Sequence, residues 1–124
     1  MSNSKTPTII ECVEGWKPHV EIIKRLFEKH KRPILFTEFG YRSVDYSGKE
    51  PWKSDRSMSI VNLEAQVNTT QALFETFWNE DWFAGGFIWK WFHSHDKVGG
   101  EDNHQFTPQN KPVEEVIKFT YSRR

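Results

Sequence analysis

The chain has 124 residues, six of them Trp and ten Phe, and its 17 basic residues balance 17 acidic ones. This length suits one domain with a modest core, and the balanced charge provides no field that would attract nucleic acid or an anionic membrane. We therefore expect neither partner. The high aromatic content favours a site in which rings contact a ligand, as they do in sugar binding.

The cysteine content and the start of the chain say little about compartment. Cys12 is the single cysteine, so it forms no intrachain disulfide, and we expect a small buried apolar residue rather than a reactive thiol. No apolar run approaches the ~20 residues that span a bilayer, and the polar start "MSNSKTPT" has no signal-peptide core. These features predict a soluble chain and leave its localisation unknown.

Two helices are predicted in the first 30 residues. "TPTIIECVEGW" predicts a short helix that is capped by Thr6 and ends at Gly15. Pro18 then opens "KPHVEIIKRLFEKHKR", whose apolar residues recur at helical spacing, and this amphipathic helix is predicted to end near His30.

Two further helices are predicted later in the chain. "IVNLEAQVNTTQALFETFWNED" has helical periodicity, with Asn62 or Ser59 as its cap and an end near Asn79. Pro112 opens the last helix, "PVEEVIKFTY", because proline suits a first helical turn.

Two strands are predicted between these helices. "ILF" after Pro33 is a continuous apolar run, which is typical of a strand that is covered on both faces in a parallel sheet. "WFAGGFIWKWF" is the second strand, in which Gly85 and Gly86 allow close backbone approach. Long loops, residues 40–58 and 93–110, follow the two strands, and loops of this length usually carry function.

The order α-β-α-β-α predicts an α/β fold with both long loops at one edge of a parallel sheet. α/β proteins place their sites at this edge. Two strands make neither a closed barrel nor a stable open sheet. The pattern therefore predicts part of a larger α/β structure.

Glu38 ends the first strand at this edge, within "TEFGYRS". Gly40 permits a sharp turn, and Tyr41 and Arg42 are available to hold an ionised carboxylate. A carboxylate that is aimed at an anomeric carbon is the nucleophile of retaining glycoside hydrolysis. The alternative is a solvated carboxylate at the mouth of a strand.

Several separated blocks of the sequence resemble the C-terminal part of glycoside hydrolase family 113. They are "GWKPHVEIIKRLFEKHKRPILFTEFGYRSVDYSGKEPW", "EAQ", "ALFETFWNEDWFAGGFIWKW" and "FTPQNKPVEEVI". This is a β-mannanase family in a clan of (β/α)8-barrel retaining glycosidases. The resemblance implies that residues 1–124 are a C-terminal fragment of the catalytic domain, a partial TIM barrel with strands seven and eight and their flanking helices.

The same resemblance implies roles for individual residues. Glu38 matches the catalytic nucleophile, and Trp89 matches an aromatic residue that stacks on the sugar at the cleavage site. Tyr41 and Trp52, in the loop after Glu38, are further candidates for substrate binding, although Trp52 could simply pin its loop. The alternative for Trp89 is a ring in the core of the barrel. Trp91 lies two residues further along the predicted strand and would point the same way, so the sequence does not separate the two interpretations.

The general acid is not found in this sequence. In the clan it is a Glu at the end of strand four, usually after Asn. Asn79 and Glu80 form such a pair, but they lie at a helix end before the second strand, at the opposite edge of the sheet from Glu38. Since a retaining enzyme needs two carboxyl groups roughly 5 Å apart, we expect the isolated chain to be inactive.

No metal and no cofactor are expected. The second loop holds His93, His95, Asp96 and His104, but their spacing matches no tight zinc pattern. Solvated loop histidines are the simpler interpretation.

The expected partner is a β-linked oligosaccharide or polysaccharide. Two alternatives stay open: a carbohydrate-binding remnant without catalysis, and a barrel fragment that self-associates or pairs with another chain through exposed sheet edges. The exact glycan and the oligomeric state are not determined by the sequence.

Overall fold

The computed structural model describes residues 4–51 and 60–123. Its elements, in chain order, are helix α1 Ile9–His30, strand β1 Ile34–Phe39, helix α2 Leu63–Phe77, strand β2 Phe83–Ile88, a short 3-10 turn His95–Lys97 and helix α3 Pro112–Ser122. The predicted alternation of helices and strands is confirmed. Trp52 and Ser59 lie outside the described residues. Of the helices in the described ranges, none is long and apolar enough to cross a membrane.

Helix α1 is continuous, so the prediction of two helices in this region is wrong. Thr8 rather than Thr6 is the N-cap, and its side chain accepts a hydrogen bond from the Glu11 N–H at 3.1 Å. Gly15 and Pro18 both lie inside the helix. One apolar stripe runs across Pro18 and packs against the core, which favours an unbroken helix over a local break; its members are Trp16, Val20, Ile23 and Phe27.

Helices α2 and α3 begin where the sequence places them. The Asn62 side chain accepts from the Ala65 N–H at 3.0 Å, which confirms Asn62 as a cap. The predicted end of α2, near Asn79, is two residues late, since the helix ends at Phe77. Pro112 stands in the first turn of α3 as predicted.

Strands β1 and β2 pair in parallel, as predicted. Leu35 pairs with Gly85, and Gly86 lies so close to Phe39 that an added Cβ would be 2.8 Å from its ring. The expectation that both faces of the strand are covered is wrong. Leu35 is 48% exposed and Phe87 is 65% exposed, because the helices cover only one face of the two strands.

The core is an aromatic cluster between the helices and that covered face. Phe77 is fully buried, and its ring centroid lies 5.0 Å from those of Trp16 and Phe36 in edge-to-face contacts. Edge-to-face packing is a favourable arrangement of aromatic rings. The cluster therefore joins α1, β1 and α2, and it leaves the loop edge of the sheet accessible.

Candidate active-site cleft

Glu38 is directed outward by an irregularity in β1. Phe36 and Phe39 both pack on α2, with ring centroids 5.0 Å from Phe77 and 5.9 Å from Phe74, respectively. In a regular strand, residues three apart point to opposite faces. A register shift between Phe36 and Phe39 lets both rings point to the same face, because such irregularities change the direction of side chains. Glu38 is consequently exposed, while its neighbour Phe39 is buried.

A cleft of about 610 Å³ lies beside Glu38. Among the described residues that line it, Glu38 is the sole carboxylate. The remaining lining is mostly aromatic or aliphatic and comprises Trp16, Ile23, Phe36, Phe39, Gly40, Tyr41, Pro51, Leu73, Trp89 and Phe106. An apolar cleft with few polar groups is the usual form of a small-molecule site. The structure thus brings Glu38, Tyr41 and Trp89 together.

Trp89 and Trp91 are separated by the end of β2. The strand ends at Ile88, and the Trp89–Lys90 peptide bond is cis. Trp89 is 45% exposed and lines the cleft, whereas Trp91 lies in the following loop and stacks on His95. The expectation that both rings point the same way along a strand is therefore wrong, because the strand does not reach Trp91.

The ends of the two strands meet through their backbones. The Trp89 N–H donates to the Phe39 carbonyl at 2.7 Å. A Cβ added at Gly40 would lie 2.1 Å from the Trp89 carbonyl oxygen, so glycine is needed at this position. This contact holds Trp89 against Phe39 and Gly40, the two residues that follow Glu38.

Tyr41 and Arg42 lie directly after this contact and are both buried. Burial raises the pKa of the Tyr41 phenol, so the group stays protonated and able to donate a hydrogen bond. Arg42 Nε donates to the His104 carbonyl at 3.1 Å, and Nη2 lies 2.9 Å from His104 Nδ1. Arg42 therefore links the loop after β1 to the loop after β2, a role that the sequence did not indicate.

Two more buried side chains make the same link. Gln66 Nε2 donates to the carbonyls of Tyr41 and Phe106, at 3.0 and 3.2 Å. Lys111 Nζ donates to Ser43 Oγ at 3.0 Å and to the Gln105 carbonyl at 2.9 Å. Sequence reasoning missed both. For Gln66 a signal existed, since it occupies the same helical stripe as Leu73 and Phe77.

The remaining candidates do not join the cleft. Ile34 N–H donates to the Trp82 carbonyl at the start of β1, so Glu80 lies at the opposite edge of the sheet from Glu38, as expected. His95 contacts Gln109 and Glu114, while His104 contacts Arg42. Across residues 4–51 and 60–123, no three His, Cys, Asp or Glu side chains come together as metal ligands.

Gly40→Ala should destabilise the protein because the new methyl group meets a backbone carbonyl that has no room to move. We expect a loss of about 1–3 kcal/mol in the free energy of unfolding, measured by urea denaturation. Gly48→Ala is the matched control, since among the described residues its Cβ would meet two side-chain carbons, Thr69 Cγ2 at 3.3 Å and Pro7 Cγ at 3.5 Å. Equal stability of the two variants would contradict the close approach at Gly40.

Lys111 should make stability depend on alkaline pH. Burial, with a smaller effect of Arg42, lowers its pKa from 10.5 to about 8, so between these values the unfolded chain binds the proton and the folded chain does not. Stability should therefore rise with pH across this window, by on the order of 3 kcal/mol.

Urea denaturation from pH 7 to 11 measures this rise as the difference between the wild type and Lys111→Met. Lys118→Met, at an exposed position of α3, is the control and should keep the wild-type slope. If the stability of Lys111→Met rises with pH as steeply as that of the wild type, Lys111 is not the titrating group.

The chain resembles one protein family and several solved structures. A family model described as Glycoside Hydrolase Family 113 matches residues 2–111, and no curated protein sequence matches the chain. Among solved structures, a complex of a GH113 β-1,4-mannanase is 25% identical with a TM-score of 0.79. The GH113 β-mannanase AaManA from Alicyclobacillus acidocaldarius, in complex with ManMIm, is 25% identical with a TM-score of 0.77.

Another structure of a GH113 β-1,4-mannanase is 26% identical, with a TM-score of 0.79. Each of these matches covers 90% of this chain but only 36% of the other chain. The chain thus spans about a third of the length of the enzymes that it resembles. Since the family model covers most of its residues, the chain belongs to glycoside hydrolase family 113.

Proposed function

We propose that this chain is the C-terminal part of a retaining (β/α)8-barrel glycoside hydrolase, with β1 and β2 as barrel strands seven and eight. Glu38 is its nucleophile. The observation that carries the proposal is the position of Glu38, exposed at the end of β1 and beside Trp89 in an otherwise apolar cleft. Membership of family 113 supports the same assignment.

In this reaction a carboxylate oxygen of Glu38 attacks the anomeric carbon while the bond to the leaving oxygen breaks. The leaving oxygen takes a proton from a general acid, and water later hydrolyses the glycosyl ester. Glu38 is the sole carboxylate among the described residues that line the cleft. The proposal therefore assigns the general acid to a part of the barrel other than residues 4–51 and 60–123.

Trp89 and Tyr41 are the substrate-binding residues of this proposal. The half-exposed indole of Trp89 offers a flat apolar surface to a sugar ring. The Tyr41 phenol stays protonated, so it can donate a hydrogen bond at the wall of the cleft. Trp52 stays a prediction as a further subsite residue, since it lies outside the described residues.

The substrate class is a β-mannan or a related β-glycan. The similar structures are described as β-mannanases, and one of them is a complex with ManMIm. Loss of a general acid costs typically ~10²–10⁴ in rate, and a third of a barrel carries few of the sugar subsites. The isolated chain should therefore bind the glycan without turning it over.

The first test is a calorimetric titration of the chain with β-1,4-manno-oligosaccharides, which measures binding. Analysis of the sugars after incubation detects hydrolysis. We expect weak binding and no hydrolysis. Trp89→Ala should weaken binding about tenfold through the loss of one stacked ring, while Glu38→Gln should leave it nearly unchanged.

Phe119→Ala, at a ring that is 61% exposed on α3, is the control and should have no effect. Hydrolysis by the wild type and equally by Glu38→Gln would refute the nucleophile. An unchanged affinity of Trp89→Ala would show that the sugar does not bind in the cleft beside Trp89.

A second candidate function, assembly into a larger barrel, is favoured by the uncovered face of the sheet. Leu35 pairs with Gly85, and Phe87 follows two residues later, so both side chains lie on one face. Both are largely exposed. Exposed apolar faces and unpaired strand edges are sites of association.

Light scattering over a range of concentrations tests this candidate. We expect the mass to rise above the 14.8 kDa of a single chain, and Leu35→Lys or Phe87→Lys to reduce the rise. Phe119→Lys is the control, because its ring is as exposed as Phe87 but lies on a helix. A mass that stays monomeric at high concentration would exclude self-assembly.

A further inference from the structure

Trp91 forms an exposed platform outside the cleft. Its ring is 50% exposed, and it stacks nearly parallel on His95, with an angle of 16° and 6.1 Å between ring centroids. His95 Nδ1 lies 3.1 Å from Gln109 Nε2, and His95 Nε2 lies 3.5 Å from a Glu114 carboxylate oxygen. Both ring nitrogens of His95 are thus engaged, and the plane of the Trp91 ring is fixed with it.

The support beneath His95 is rigid. Gln109 is fully buried, and its side chain holds the Phe92 backbone at both ends. Gln109 Oε1 accepts from the Phe92 N–H at 2.7 Å, and Nε2 donates to the Phe92 carbonyl at 2.9 Å. Asn110 Nδ2 donates to the carbonyls of His95 and Val98, at 2.7 and 2.9 Å. The side-chain amides of Gln109 and Asn110 therefore hold the segment that carries Trp91 and His95 in place.

Phe87 and Phe119, the two most exposed aromatic rings in residues 4–51 and 60–123, lack this combination. Phe87 lies on the uncovered face of the sheet, and Phe119 lies beneath the Arg123 guanidinium, 5.1 Å from its ring. Trp91 presents a flat apolar face, and the partly exposed Glu114 carboxylate beside His95 can accept hydrogen bonds from hydroxyl groups. An apolar surface with a few polar groups beside it is the chemistry that recognises a sugar ring.

Trp91 is also close to the cleft. Two peptide links separate it from Trp89, so their Cα atoms lie within roughly 7 Å of each other. A glycan that stacks on Trp89 can therefore extend toward Trp91 by neighbouring units. We propose that Trp91 and His95 form a second, outlying subsite, which takes a further sugar unit of a β-linked oligosaccharide. This inference rests on the proposed function of the Glu38 cleft.

The test compares sugars of increasing length. Calorimetric titrations with β-1,4-linked mannobiose and mannopentaose are made on the wild type and on Trp91→Ala, Trp91→Phe, Trp89→Ala and Phe119→Ala. Trp91→Ala should leave the affinity for mannobiose within twofold and weaken that for mannopentaose about tenfold. Trp91→Phe should restore most of the loss, because a smaller ring still stacks. Phe119→Ala should match the wild type.

The outcomes separate the subsite from the cleft. If Trp89→Ala weakens both sugars while Trp91→Ala weakens neither, the second subsite is refuted and the proposed function stands. Equal losses for both sugars in Trp91→Ala also refute an outlying subsite. If the wild type binds neither sugar, both proposals fail. Unchanged far-ultraviolet circular dichroism and an unchanged urea-denaturation midpoint of the variants confirm that the fold is retained.

Discussion

The backbone contact between the ends of the two strands is the constraint on which the candidate site depends. The Trp89 N–H binds the Phe39 carbonyl, and the Trp89 carbonyl lies against Gly40. Because a parallel pair brings carboxyl ends to one edge, this contact places the last side chains of β1 and β2 around one cleft. The register shift before Phe39 then turns Glu38 outward. Without either feature, Glu38 and Trp89 would not line the same surface.

A second layer of buried polar contacts holds the two loops at this edge. Arg42, Gln66 and Lys111 each join the loop after β1 to the loop before α3. Buried polar groups are costly unless they are paired, and the nitrogen atoms of these three side chains contact backbone carbonyls or neighbouring side chains. The loops are thus positioned by the α2 and α3 helices as well as by the strands. A site on such loops can be preorganised although the loops themselves are long.

Much of the fold follows from local patterns in the sequence. Asn62 and Pro112 mark helix starts because their chemistry suits those positions, and the apolar runs mark the strands. The break at Gly15 and Pro18 was predicted wrongly because the packing of one stripe across α1 outweighs local propensity. The sequence located Glu38 at a strand end, but only the structure reveals the register shift that exposes it. The loop contacts of Arg42 and Lys111 join residues 60 or more positions apart, a distance at which local patterns carry no information.

The central claim is that Glu38 is a nucleophile whose general acid lies elsewhere. A glycosyl fluoride tests it directly, because fluoride departs without the proton that a general acid would supply. The chain is incubated with 2-deoxy-2-fluoro-β-mannosyl fluoride, and its peptides are analysed by mass spectrometry. A glycosyl ester on Glu38, absent from the Glu38→Gln variant, is the predicted result. An unlabelled chain that still binds mannan oligosaccharides, or a label on another carboxylate, would contradict the claim and indicate a binding module without catalysis.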